Sequence, residues 1–339
     1  MDWRRTVAAS TGLEAAECLI LDESRGTTCR TRIDVRLNDG RQRTLFVKTR
    51  PRSPVARSVV SLIGLGRAET GFYREAAPAV PGLVPRCFAA PVAPGPFPLV
   101  LDDLVTGGAA LSRLGDELPV EVVEQALTTV AQIHGTFWND PRLGSAGWPW
   151  CRSFVPAVEA SAGWLLAPAL SALGRRRAGR CLPGDIRAGL ARYALRRTPT
   201  LRRLDHGPRT LLHHDCHPGN LAQLPDERVV LFDWQLVRAG PWASDVAYLL
   251  ATALSTEDRR AHERRLVEHY LDALGAAGGG PPPSAEAWRA YVANLVYPLE
   301  AMVVTLALGA MQPAGAVGPV VQRAAAAVAD HDVFATLRS

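Results

Sequence analysis

LLHHDCHPGNLAQLPDERVVLFDWQ, residues 211–235, contains two short apolar runs, each ending in a carboxylate. TLLHHD reads as a strand that delivers Asp215 and RVVLFDW as a strand that delivers Asp233, with Pro218 and Gly219 supplying turn chemistry between them. Asn220 stands five residues beyond Asp215, and Asp233 eighteen beyond it. So short a loop lets Asp215 and Asn220 converge on one cleft, and the hairpin that follows returns the chain to the same edge with the second aspartate. Any one of the three alone would more often be a turn former. Their joint spacing is what makes a structural coincidence improbable.

Kinase-type phosphoryl transfer needs such a set. One carboxylate accepts or orients the proton of the attacking hydroxyl, while an amide and a second carboxylate hold Mg²⁺ against nucleotide phosphates. The phosphates also need a cation, and of the 38 Lys and Arg residues only one is lysine: Lys48, in TLFVKTR (44–50). An arginine-biased composition explains the missing lysines but not which one remains. A compact ammonium on a flexible stem suits phosphate oxygens at a crowded site better than a broad guanidinium fork. His213, Cys216 and His217 also raise a zinc site, but they sit beside Pro218-Gly219 with no second ligand pair nearby. His213 is expected to pack under the loop by hydrogen bonding, and His134 to be a satisfied core histidine.

With these residues in view, the chain resembles the superfamily of aminoglycoside phosphotransferases, choline kinases and ecdysteroid-type kinases, which share the protein kinase fold. Their usual catalytic loop, HGDxHxxN, stands here as His213-His214-Asp215-Cys216-His217-Pro218-Gly219-Asn220, with His214 where glycine is usual. Their metal segment, a hydrophobic strand end with D-W/F, stands as Leu231-Phe232-Asp233-Trp234. DVAYLL carries Asp245 where the family has a buttressing aspartate, and AQIHGTFW resembles the helix before the family's insert.

The resemblance implies an α+β, protein-kinase-like two-lobe fold. An N-lobe of antiparallel sheet plus helix would occupy 1–104, and a mostly helical C-lobe 105–339. It also implies a Mg²⁺-dependent transfer of the γ-phosphoryl of ATP or GTP to a hydroxyl, with Asp215 as base and Asn220 and Asp233 as metal ligands. Lys48 would meet the α and β phosphates with Glu69 as its helix partner; Glu75 is the rival. Gly26, Thr27 and Thr28 would cover the phosphates with backbone N–H groups. LVLDDL resembles the hinge, where Asp102, Asp103 and Leu104 would meet adenine through their main chain, so that the aspartate side chains matter little.

The acceptor implied is a small hydroxylated metabolite, natural product or antibiotic. A mildly basic chain, net charge +5, is a poor host for a polycationic aminoglycoside. A neutral acceptor is expected between the insert helices and C-terminal helices that carry Trp288, Tyr291, Tyr297 and Glu300, although these aromatics would equally serve as core. A non-catalytic pseudokinase has His214 alone in its favour. No HRD arginine, DFG glycine or APE segment accompanies the two aspartates, so a protein kinase with an activation loop lacks its parts.

Other classes fit less well. The arginine-rich stretch 174–203 has Tyr193 as its only aromatic, which argues against nucleic acid. The greasy run Ala301–Ala310 is too short to span a bilayer, so no membrane role is expected. Six scattered cysteines without a CxxC pair suit free thiols in the cytoplasm. No Walker A lysine, dinucleotide glycine pattern or GxSxG elbow is present.

Elsewhere, Ile33, Val35 and Leu37 alternate with polar residues, Asn38–Gly40 supplies a turn, and TLFVKT forms the returning strand of a hairpin. Glu17–Leu21 is expected to be a further strand, DESRGTTCR a polar loop, and Ala68–Ala79 a helix. Val122, Ala126, Val130, Ile133 and Phe137 repeat at helical spacing. Residues 156–203 read as two or more helices, and Ser244–Ala253, Thr256–Leu274 and Ala285–Ala310 as three more.

Overall fold

The computed structural model describes residues 2–25, 28–51, 65–91, 98–144, 146–155, 157–309 and 314–337. Contacts divide the chain into two units. The first is Met1–Ala110 with Ala222–Asp226 and Val230–Leu236; the second is Leu111–Leu221, Glu227–Val229 and Val237–Ser339. The segment carrying Asp233 thus belongs with the first unit, although it lies far beyond the boundary expected at residue 104. Its anchor is local: the Trp234 ring stacks on Phe72 at 3.9 Å and 7°.

The first unit opens with α1 (Trp3–Thr11), whose N-cap Asp2 accepts from the Arg5 backbone N–H. A five-stranded antiparallel sheet follows in the order β1-β2-β3-β5-β4, made of β1 (Ala15–Arg25), β2 (Cys29–Leu37), β3 (Gln42–Thr49), β4 (Cys87–Ala89) and β5 (Leu99–Asp102). Alternation does the sorting: Ile33, Val35, Leu37, Leu45, Val47 and Val100 form one buried cluster with Val7 of α1. The hairpin register places Arg30 directly opposite Lys48.

β1 runs further than Glu17–Leu21. Pairing with β2 continues through Ser24↔Arg30 to Arg25↔Cys29, so backbone hydrogen bonding carries the polar DESR into the strand. Between β3 and β5, α2 (Leu65–Gly71) passes into a π-helical turn, Phe72–Ala76, and a 3₁₀ turn, Ala77–Ala79. Pro78 sits in the first turn of that 3₁₀ segment, where its missing N–H costs no hydrogen bond.

The second unit is chiefly helical: α3 (Val120–Thr136), α4 (Ala157–Ala178), α5 (Gly184–Leu195), α6 (Arg197–Leu204), α7 (Ala243–Ala253), α8 (Thr256–Ala276), α9 (Ser284–Asn294), α10 (Val296–Leu308), α11 (Ala314–Asp330) and α12 (Val333–Thr336). Further short strands along the chain are β6 (Ala110–Leu111), β7 (Arg152–Ser153), β8 (Arg209–Leu212), β9 (Leu221–Gln223), β10 (Val229–Leu231) and β11 (Arg238–Pro241), of which Ala110, Ala222–Gln223 and Val230–Leu231 count with the first unit. Of these, β7, β11 and β8 form one sheet in that order. Every residue of α7 is buried, as its nearly continuous apolar sequence requires of a central helix.

The helix expected over Ala285–Ala310 is instead two, interrupted at Leu295. Pro298 has no N–H to give the carbonyl four residues earlier, which ends the first ladder. By length and composition the stretch Ser284–Leu308 could cross a membrane, but 67% of its apolar window is buried inside the protein.

Candidate active site

In the first unit, β3 brings Lys48 and α2 brings Glu69 to one buried point. Lys48 Nζ donates to Glu69 Oε1 at 2.5 Å and to Asp233 Oδ1 at 2.9 Å. The other Asp233 oxygen, Oδ2, accepts from Arg30 Nη2 at 2.9 Å. Burial opposes the charge on Lys48, but the Asp233 and Glu69 carboxylates outweigh it and hold the ammonium above its ordinary range. Two carboxylates share this buried amine, so burial pushes Glu69 up. Glu75, the rival partner, instead pairs with its neighbour Arg74. Asp233 itself has φ 65°, a left-handed conformation at the end of its strand.

Asp102 ends β5 and Asp103 follows it. The expectation that both side chains matter little fails for Asp103. It is buried, accepts from Arg32 Nη2 at 2.7 Å and from Arg32 Nε, and accepts from Thr106 Oγ1 at 2.7 Å. Burial works against its charge, yet these donors hold the carboxyl below the usual range. Leu104 stands in the turn that follows, its carbonyl accepting from Ala109 N. Thr28 is buried beside β2; Gly26 and Thr27 lie outside the described residues.

In the second unit, the loop after β8 is suspended from Asp245 of α7. Asp245 Oδ2 accepts the backbone N–H of His213 at 2.7 Å, and Oδ1 that of His214 at 2.8 Å. His213 Nδ1 in turn accepts from Asp215 N at 3.3 Å. His134, buried in α3, reaches Tyr270 Oη at 2.7 Å and Asp245 at 3.3 Å. A 3₁₀ turn over Pro218–Asn220 then folds the loop back. Asn220 Nδ2 donates to the Asp215 carbonyl at 2.9 Å and to its Oδ2 at 3.2 Å.

Tyr248, also on α7, donates its hydroxyl to Asp215 Oδ1 at 2.9 Å. Burial alone would raise the Asp215 carboxyl, but His217, His213 and the Tyr248 hydroxyl together hold it below the usual carboxylate range. Asp215 is therefore an ionised, oriented acceptor at neutral pH. Cys216 is buried, and burial pushes its thiol well above its ordinary value. Among the described residues no group of three or more His, Cys, Asp and Glu side chains is gathered as for a metal.

His214 occupies the glycine position with φ 66°. A left-handed non-glycine residue costs on the order of 1 kcal/mol. Packing offsets it: the imidazole stacks on Tyr297 at 4.3 Å and meets Phe154 edge-on at 5.6 Å, while Tyr297 Oη donates to the His214 carbonyl at 2.9 Å. Burial, with Arg238 and Arg197 nearby, holds the ring well below its ordinary value and hence uncharged.

The model of the phosphotransferase enzyme family (APH) matches residues 32–291, more than half of the chain. The chain belongs to this phosphotransferase family. Its fold is the protein-kinase-like one shared by solved relatives. A choline kinase from Streptococcus pneumoniae is 14% identical, with 97% of this chain and 98% of that one covered at a TM-score of 0.55. An aminoglycoside phosphotransferase from Alicyclobacillus acidocaldarius is 19% identical, with 94% and 92% covered at 0.50. A Plasmodium vivax ethanolamine kinase is 11% identical, with 91% and 81% covered at 0.54. The choline kinase has also been solved in complex with AMP, matching at 14% identity and a TM-score of 0.52 with 97% of each chain covered. No curated protein matches by sequence.

Each unit offers oxygen donors of the type Mg²⁺ takes: in the second, Asn220 spends its amide nitrogen on Asp215, which leaves the hard oxygen Oδ1 to accept, and in the first, Asp233 presents a carboxylate paired with Lys48 and Arg30. Arg30, which pairs with Asp233, and Tyr248, which donates to Asp215, are residues that motif reading did not single out. For Arg30 a signal existed in the hairpin register; for Tyr248 none did, since a tyrosine-to-loop hydrogen bond depends on how distant helices pack.

Proposed function

We propose that this phosphotransferase moves the γ-phosphoryl group of ATP or GTP to a hydroxyl of a small molecule, in a Mg²⁺-dependent reaction. The observation that carries the reading is the placement of Asp215: oriented by Tyr248 and Asn220, on a loop hung from Asp245. Asp215 accepts the hydrogen bond of the acceptor hydroxyl and aims its oxygen at the γ-phosphorus. The O–P bond forms as the bond to the β-phosphate oxygen breaks, and the hydroxyl proton passes to Asp215 late. A carboxylate held below its usual range is a weak base. That suits a loose phosphoryl-transfer transition state, in which orienting the nucleophile counts for more than deprotonating it.

Lys48, positioned by Glu69, meets the α and β phosphates, and the loop Gly26–Thr28 covers them. The main chain around Asp102–Leu104 receives the base. Asn220 and Asp233 would hold Mg²⁺, whose bound charge neutralises the phosphate oxygens. Nucleotide use gains support from the related choline kinase solved with AMP.

The acceptor is read as neutral or weakly charged. Glu300 on α10 is committed to Tyr193 Oη at 2.8 Å and to Arg197, and Glu263 on α8 to Arg259 and Tyr291. Neither carboxylate is left over for a polycation. Tyr291 and Tyr297 are buried in the core, and Tyr297 braces the His214 carbonyl. Six free cysteines accord with a cytoplasmic enzyme; neither nucleic acid nor membrane is invoked as a partner. Incubation with ATP, Mg²⁺ and a library of hydroxylated compounds, read by mass, is expected to find acceptors heavier by one phosphoryl group. Phosphorylation confined to polycationic aminoglycosides would overturn the acceptor reading.

A further inference from the structure

Asp233 carries two cations, one on each oxygen, and they differ in their freedom to leave. Lys48 is enclosed, with 3% of its side chain exposed, and is held also by Glu69. Arg30 has 36% of its side chain exposed and reaches Asp233 Oδ2 from β2, where it stands opposite Lys48 in the ladder. An oxygen that accepts a guanidinium N–H at 2.9 Å presents that lone pair to the arginine, not to a metal ion.

We propose that Arg30 is the stand-in cation of the metal position: it neutralises Asp233 in the nucleotide-free protein and is exchanged for the divalent cation when Mg-nucleotide binds. This rests on the reading of Asp233 as a metal ligand and adds a residue and a competition to it. Like charges explain the exchange, since a guanidinium and Mg²⁺ on the same carboxylate oxygen repel one another. Lys48 stays, because leaving would strand Glu69 buried beside Asp233 without its amine. Before ligand arrives, Arg30 supplies a second positive charge beside the two buried carboxylates that contact Lys48.

The test is calorimetric titration of the full chain with ADP over a series of Mg²⁺ concentrations, giving the Mg²⁺ midpoint for tight ADP binding. Removing a partly exposed competitor is expected to lower that midpoint about fivefold in Arg30→Gln. Arg30→Lys, which keeps the charge, should stay near the original value. Arg36→Gln, which removes an exposed arginine of the same strand paired with Glu17 at 3.7 Å, should leave the midpoint unmoved. A midpoint unchanged or raised in Arg30→Gln, with the variant's melting curve still cooperative, overturns the exchange while leaving Asp233 a metal ligand. ADP binding by the unaltered chain that ignores Mg²⁺ altogether would overturn the ligand reading itself, and the exchange with it.

Discussion

Lys48 Nζ lies 2.5 Å from Glu69 Oε1, both side chains buried, on a strand and a helix that the sequence separates by 21 residues. The pair shares its ammonium with Asp233 at 2.9 Å. Removing the amine takes the shared ammonium from two buried carboxylates, so Lys48→Met is expected to lower unfolding free energy by about 3 kcal/mol. Adding Glu69→Gln should recover roughly 1 kcal/mol of that loss, because one of the stranded charges is gone. Urea unfolding of the single and double variants measures both, and a single variant as stable as the original would contradict the pairing.

Asp245 ties the loop to α7 through two backbone N–H groups. Asp245→Ala orphans both donors and is expected to cost about 3 kcal/mol while depressing turnover, since Asp215 follows directly after them. Asp245→Asn keeps one acceptor oxygen and should lose about half as much. Thermal melts and turnover measured together decide it; loss of turnover in Asp245→Ala without loss of stability would point to a direct chemical role instead.

At His214 the usual order of small residues should invert. Both Ala and Gly lose the stack on Tyr297, but only Gly is relaxed at φ 66°. His214→Gly is therefore expected to be more stable than His214→Ala by about 1 kcal/mol. Equal denaturation midpoints would show that the backbone stores no strain there.

The same residue sets an acid limb. Its folded pKa is depressed by burial, so the stability it contributes is complete above its unfolded value, about 6.5, and is lost as pH falls below that. Asp215, also depressed, adds a second loss that begins near its unfolded value of about 3.9. His214→Asn, which tolerates a left-handed backbone, should flatten the decline between about pH 7 and pH 5 while leaving the lower limb. An unchanged slope across that window would exclude His214 as its source.

Much of this was legible in the chain because the informative signals are local. Alternation over Ile33–Leu37 and a turn at Asn38–Gly40 set the register of the hairpin, and that register alone aligns Arg30 with Lys48. The loop from His213 to Asn220 could be read from spacing, since five residues cannot carry Asn220 far from Asp215. What spacing cannot show is which side chains come to the loop from elsewhere. Tyr248 and Tyr297 reach it from α7 and α10, 33 and 83 residues away, and nothing distinguishes them in sequence from ordinary core tyrosines. Asp103 was misjudged for a related reason: its partner Arg32 lies on a strand 71 residues earlier. The split of the last apolar helix turned on Pro298, a single missing N–H that periodicity overlooks.

Asp215 is proposed to direct a hydroxyl at a nucleotide phosphate, and Asp215→Asn isolates that role. The amide keeps the shape of the side chain and the bond from Tyr248 but cannot take a proton. ADP release coupled to phosphorylation of an acceptor from the hydroxyl screen should fall at least about 100-fold, with ADP affinity and melting temperature close to those of the unaltered chain. Turnover within a few-fold of the original would contradict the account.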